Sequence, residues 1–297
     1  TFPWEAAKID RAEGRHPLPS LEACLSGWAP EAARSTDQLL PERARALAAV
    51  LETPPELRDF TALPPLWHWV YFHQWPDHSA LGADGHPANE HFLPPIPDRR
   101  RMFAGGRLLV DRPLQLGVPA ERTSALLRTS VKQGRTGELA FVTVRSEYRQ
   151  HGQLCLTEEQ DHVYRSGDGS PRDFGDRPAH HPRSDAPWQQ RFTGDPVRLF
   201  RFSALTANSH RIHYDLAYCQ QVEHYPDLVV HGPLLVLLMT ELARQHAPQP
   251  VTSVDYRFRR PVFAGDPVLI AGGPDGKFSV RTEPDNAAAT AELGFGQ

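Results

Sequence analysis

The stretch HGPLLVLLMTELARQHA, residues 231–247, decides the fold. Gly232-Pro233 reads as a helix start, because a proline in the first turn gives up an N–H that would be unpaired anyway. The six residues from Leu234 to Met239 are apolar without a polar face. A helix apolar on every side is buried rather than laid on a surface. In this chain only a sheet curled around it offers that shelter.

The strands for such a sheet are present on both sides. After the helix come VTSVDYRFRRPVF, DPVLIAGGP, KFSVRTEP and AAATAELGFG, four strand-like pieces. From Gly106 onward come RLLVDRPLQLG, RTSALLRTSVKQ, ELAFVTVRSEYRQ and QLCLTEEQDHVYR, with Gly134, Gly137 and Gly152 marking turns. Long strands with short turns predict a strongly curved antiparallel meander. PVRLFRFSAL (196–205) reads as a further strand, and residues 214–221 as a short helix. The predicted class is α+β, a double hot-dog: two curled antiparallel sheets, each wrapped around a central helix.

The expected boundaries are an N-terminal hot-dog over 1–165, a linker over 166–187 and a C-terminal hot-dog carrying the chemistry over 188–297. The first sixty residues read as a helical, amphipathic extension in which Pro41-Glu42 opens ERARALAAVLE. The aromatic LPPLWHWVYF (63–72) would be the first half's helix. Residues 73–101, rich in Pro, His and Gly, read as a lid-like loop. The linker is rich in Gly, Pro and Asp, and its His180 and His181 read as solvated.

The composition narrows the function classes. The chain has 297 residues, 40% hydrophobic and 23% charged, with a formal net charge of −4. That charge supplies no general attraction to nucleic acid or anionic membranes, and the longest apolar run is too short to span a bilayer. Cys24, Cys155 and Cys219 are too widely spaced for a CxxC motif and fit a reducing compartment. The expected location is cytoplasmic, with an organellar matrix left open, since nothing in the N-terminal stretch resembles a targeting peptide. There is no Gly-rich phosphate motif and no HExxH, so neither a cofactor nor a metal is expected.

The helix start also carries chemistry. Its free N–H groups and dipole favour negative charge. Gly232 has no side chain to keep a carbonyl away, and Pro233 has no N–H, so the Gly232 N–H is the candidate oxyanion donor. Upstream lies FRFSALTANSHRIHYD (200–215), with His210 and His213 three apart. Imidazoles titrate near neutrality and suit proton transfer. The same residues also fit a plain helix start and a polar loop of hydrogen-bonded histidines.

FSALTANSHRIHYD followed by VVHGPLLVLLMTELA resembles the MaoC-like, or R-specific hydratase 2, family of double hot-dog enzymes. LPPLWHWVYF, LGADGHP, FLPPIPDRRRMFAGGRL, GELAFVTV and LTEEQDHVYR resemble its branch of hydroxyacyl-thioester dehydratase type 2 and mesaconyl-C4-CoA hydratase. The wider family carries D-x-N-P-x-H, whose Asp and His hold and activate water, and a glycine that polarises the thioester carbonyl. The resemblance puts that His on His213 and that glycine on Gly232. The Asp falls on Asn208, the Asn on His210 and the Pro on Arg211, so this chain departs at the acid.

The resemblance implies a reversible hydration and dehydration of an enoyl or 3-hydroxyacyl thioester of CoA or acyl carrier protein, with mesaconyl-C4-CoA one candidate. His213 would transfer protons and Asn208 would orient water or hydroxyl. His210 would titrate or hold His213 in one tautomer. His231 and Asp215 read as helix caps. Arg257, Arg259 and Arg260 are candidates to bind the substrate, as are Arg99, Arg100 and Arg101. A dicarboxylic acyl group would need an arginine inside the pocket. A homodimer is a further expectation. Two other functions remain open: a hot-dog thioesterase, for which Glu241 lies two turns too deep, and a non-catalytic acyl-thioester binder, consistent with Asn in place of Asp.

Overall fold

A computed structural model describes residues 19–97, 99–134, 137–166, 174–283 and 286–296. The proposed extension before residue 19 and part of the proposed linker lie outside them. The elements run α1 (Leu21–Leu25), β1 (Ala33–Asp37), α2 (Pro41–Leu51), β2 (Arg100–Val110), β3 (Ala120–Gly134), β4 (Gly137–Gln150), β5 (Gln153–Arg165), β6 (Trp188–Thr193), α3 (Pro196–Leu205), α4 (Leu216–Gln221), α5 (Gly232–His246), β7 (Val251–Phe258), β8 (Pro267–Gly272), β9 (Lys277–Glu283) and β10 (Asn286–Phe295).

The ten strands among the described residues belong to one sheet, in the order β1-β3-β4-β5-β2-β7-β10-β9-β8-β6. The first five strands of the chain form one half and the last five the other. Every pairing is antiparallel. The halves meet where Gly105–Leu109 of β2 pairs with Ser253–Arg257 of β7. A β-carbon on Gly105 would stand 2.3 Å from the Tyr256 carbonyl oxygen, and one on Gly106 2.4 Å from that of Glu159. The AGG step therefore lets the two halves close on each other.

In the C-terminal half the strands wrap α5, which packs on β6, β7, β8, β9 and β10. Every residue from Leu234 to Ala243 is buried, as a helix apolar all round requires. In the N-terminal half the aromatic segment forms only a single 3-10 turn, Trp67–Val70. It packs on β4 and β5 through Glu158, whose carboxylate accepts from His68 (3.0 Å), Trp69 (2.6 Å) and Tyr148 (2.8 Å). Burial alone would raise the Glu158 carboxyl, but the His68 charge and the bonds from His68, Trp69 and Gln160 hold it down at about 2. One hydrophobic core joins Trp67 and Leu108 to α5 and the C-terminal strands.

Several local expectations are corrected. PVRLFRFSAL is a helix, α3, not a strand: Asp195 caps it by accepting from the Arg198 N–H at 3.0 Å, Pro196 opens it, and Leu199, Phe202 and Ser203 bury at helical spacing. The strand there is the preceding WQQRFT. Residues 33–37 form β1, an edge strand inside the stretch expected to be helical. The strand expected from Gly106 begins at Arg100, and Asp111 onward leaves the sheet. His181 is not free in solvent, since its Nδ1 bonds the Val268 carbonyl at 2.9 Å. Among the described residues no helix is long and apolar enough to cross a membrane.

Candidate active site

The histidine segment follows α3. Asn208 makes an Asx turn, its Oδ1 accepting from the His210 N–H at 3.0 Å. Residues Arg211–His213 form a 3-10 turn and Asp215 caps α4, accepting from the Tyr218 N–H at 3.0 Å. These turns aim the His213 ring inward, where it is 7% exposed.

His213 is held in one tautomer. Its Nδ1 lies 2.7 Å from the Val229 carbonyl oxygen, which can only accept, so Nδ1 carries the hydrogen and Nε2 keeps its lone pair. Burial pushes its pKa down to about 4, against the pull of that carbonyl. The ring lies on that of His231, centroids 3.6 Å apart and planes at 17°. His231 is the residue directly before Gly232. It occupies the cap position of α5 without making a side-chain cap bond, so the expected capping role is corrected. Its Nε2 instead faces Ser203 Oγ at 2.9 Å and its Nδ1 is buried with no partner among the described residues.

Gly232 opens α5, and its N–H has no acceptor among the described residues. A β-carbon here would meet the Phe258 ring at 3.0 Å. An unpaired N–H at a helix start thus directly follows the residue on which the neutral His213 imidazole is stacked. That pairing can bind a thioester oxygen and move a proton beside it.

Two groups that the sequence does not single out, Asp84 and His86, come from the expected lid segment. The turn Gly82–His86, inside the expected lid segment, docks on the histidine segment. The Arg211 N–H donates to the Asp84 carbonyl at 2.8 Å, and the Arg211 guanidinium to that of Ala83 at 3.0 Å. Gly85, at φ +88°, leaves no room for a side chain, because a β-carbon would stand 2.0 Å from the Ser209 carbonyl oxygen. The docking sets the His86 ring 4.0 Å from that of His210, whose edge faces His213 at 5.6 Å. Asp84 accepts from the His86 ring nitrogen at 3.1 Å and from its backbone N–H at 3.0 Å. Burial would raise Asp84, but the bond from His86 and its charge hold the carboxyl at about 2. Burial first, then the charges of His86 and His213, keep His210 far below the ordinary imidazole range. Asp84, His86 and His210 offer one ligand atom each within 4.8 Å of one another, but two of the three are already spent on the Asp84–His86 bond. LGADGHP, an Asp and a His two apart in a turn, was the signal in the sequence.

The arginines divide. On β7, Val254 and Tyr256 bury towards α5 while Arg257 lies on the other face. Arg257 and Arg259 line a groove there with Lys277. Arg257 also pairs with Asp255 at 3.1 Å and Arg260 with Glu283 at 3.3 Å. The structure does not bring these three to His213. Of the other run, Arg100 pairs with Glu223 at 3.3 Å, whereas Arg101 turns towards His162 and Glu90. Glu241 is committed to Thr53, Trp67 and Arg244, which removes the one acid of α5 from thioester chemistry.

The family model for hydroxyacyl-thioester dehydratase type 2 matches residues 66–264. The chain belongs to the hydroxyacyl-thioester dehydratase type 2 family. Membership makes it a hydro-lyase of acyl thioesters. It is 43% identical over 277 residues to mesaconyl-C(4)-CoA hydratase of Chloroflexus aurantiacus, covering 90% of this chain and 97% of that protein. It is 27% identical to the mitochondrial hydroxyacyl-thioester dehydratase type 2 of Schizosaccharomyces pombe, covering 93% and 95%. Among solved structures, a MaoC-like dehydratase from Phytophthora capsici matches with TM-score 0.65 at 15% identity, over 90% of this chain and 96% of that one. A double-hotdog protein of Mycobacterium tuberculosis matches with TM-score 0.56 at 14% identity, over 93% and 97%. The family's fold is therefore the double hot-dog expected from the sequence, α+β in class.

Proposed function

We propose that this chain adds water to the double bond of an enoyl-CoA, and removes it in reverse, at the site between His213 and Gly232. The observation that carries this reading is the neutral His213 ring stacked on the residue before the unpaired Gly232 N–H. In hydration, His213 Nε2 takes one proton from water as the hydroxyl oxygen bonds the β-carbon. The carbonyl oxygen gathers charge against the Gly232 N–H, and the proton returns at the α-carbon. Asn208, whose Oδ1 is spent on its turn, offers its NH2 to the water. His86, held by Asp84, and His210 line the same side, so the 73–101 segment forms a wall of the pocket.

The likeness to the Chloroflexus hydratase favours mesaconyl-C4-CoA as substrate. The test offers the protein crotonyl-CoA and mesaconyl-C4-CoA and follows enoyl absorbance together with free thiol. Enoyl loss without thiol is expected. Thiol release would point to a thioesterase, and no change with either substrate to a binder; either result overturns the reading.

A further inference from the structure

We propose that Arg101 is the specificity determinant that grips the free carboxylate of a dicarboxylic enoyl thioester. The inference rests on the hydratase reading above and on mesaconyl-C4-CoA as its substrate.

The chemistry of that substrate fixes where its anchor must stand. The free carboxylate of mesaconyl-C4-CoA is bonded to the β-carbon, the atom that receives the hydroxyl. A cation that binds it must therefore sit beside the water-handling histidines and not at the end of a long acyl tunnel. Arg257 of β7 fails that requirement, lying on the far face of the sheet, as does Arg260, paired with Glu283. Arg211 is taken by Asp215 at 2.7 Å and by the docked turn. Arg107 is taken by Glu159 at 2.9 Å and Asp161 at 3.2 Å.

Arg101 meets it. It lies near the start of β2, opposite Tyr164 of β5; its charge lowers His210, and the Asp84 carboxylate in turn raises Arg101. A chain of ring contacts links its neighbourhood to the oxyanion donor. His162 stacks on Phe103 at 5.2 Å, Phe103 meets Phe258 at 5.3 Å, and Phe258 covers Gly232.

The guanidinium is also aimed. Its Nε faces His162 Nδ1 at 3.4 Å and its Nη1 donates to Glu90 at 2.7 Å. Its Nη2 has no acceptor among the described residues. His162 is buried, and burial and the Arg101 charge keep it neutral, so it accepts from Nε and fixes the plane of the fork. His162 is thus a positioning residue. Glu90, 33% exposed, sits at the solvent side, and an incoming carboxylate can share or replace its bond in the fork geometry that arginine favours.

The test compares kcat/KM for mesaconyl-C4-CoA with that for crotonyl-CoA, which lacks the carboxylate, in wild type and in Arg101→Gln. The ratio of the two is expected to fall by about 30-fold or more, the effect of losing a charge-assisted hydrogen bond, since the Arg101 side chain is 30% exposed. Arg101→Lys keeps the charge and loses the fork, and is expected to keep part of the preference. A ratio within about threefold of wild type in Arg101→Gln overturns the proposal. Should Arg101→Gln not fold, Arg101→Lys alone decides: a ratio at least about tenfold lower supports the proposal and an unchanged one overturns it. Failure of the substrate reading shows elsewhere, in a wild-type protein that hydrates crotonyl-CoA and leaves mesaconyl-C4-CoA untouched.

Discussion

The imidazole of His213 lies flat on that of His231, their centroids 3.6 Å apart. Two stacked imidazoles in a buried site cannot both carry charge. Burial and the neighbouring histidines push His231 well below the ordinary range, and burial lowers His213 to about 4. Burial therefore keeps His213 a base at neutral pH, its ring stacked on the residue before Gly232, the proposed oxyanion donor.

The same burial predicts acid sensitivity. His213, His231 and His162 all have folded pKa values below the ordinary 6.5. Below that pH the unfolded chain binds protons that the folded chain refuses. Stability should be level above about pH 7 and fall as pH drops from 6.5 towards 4, each group costing up to about 1.4 kcal/mol per pH unit. Denaturant unfolding at several pH values measures it. A stability that rises on acidification would contradict the assignment. In a folded sample the acid limb of kcat/KM due to His213 should likewise lie well below pH 6.5.

Gly232→Ala places a β-carbon 3.0 Å from the Phe258 ring, beside the N–H that the proposed mechanism uses. The ring can give by a few tenths of an ångström, so stability should change by only about 1 kcal/mol. The kcat/KM should fall by about tenfold or more, because the donor becomes harder to reach. Steady-state kinetics and a thermal melt on one preparation separate the two effects.

Glu158→Ala acts on the fold. It leaves His68, Trp69 and Tyr148 without their shared buried acceptor. The expected loss is about 3 kcal/mol, read from urea unfolding. The isosteric Glu158→Gln should lose less, since it keeps an acceptor oxygen.

Much of this was legible in the sequence, for physical reasons. Leu234–Met239 is apolar all round, which forces burial inside a curled sheet, and that one segment implied the fold. His213 and Gly232 stand out as candidates because the motif around each is local. PVRLFRFSAL was misread because alternating Val, Leu and Phe suit a strand, while the Asp195-Pro196 start that makes it a helix lies at its edge. Asp84 and His86 do not stand out, because they reach the histidine segment only through a contact spanning 124 residues, from Gly85 to Ser209. No spacing rule exposes such a contact, although Gly85 marks it by the absence of a side chain. Arg101 stood in a run of three arginines, and only the strand register separates it from its neighbours.

In the proposed mechanism His213 Nε2 moves the proton while the Gly232 N–H holds the carbonyl oxygen. The most direct test is His213→Ala, followed by enoyl absorbance with the substrate that wild type turns over, on protein shown by circular dichroism to be folded. A loss of kcat of about a thousandfold, with the fold retained, is the predicted result. Turnover within about tenfold of wild type would contradict it.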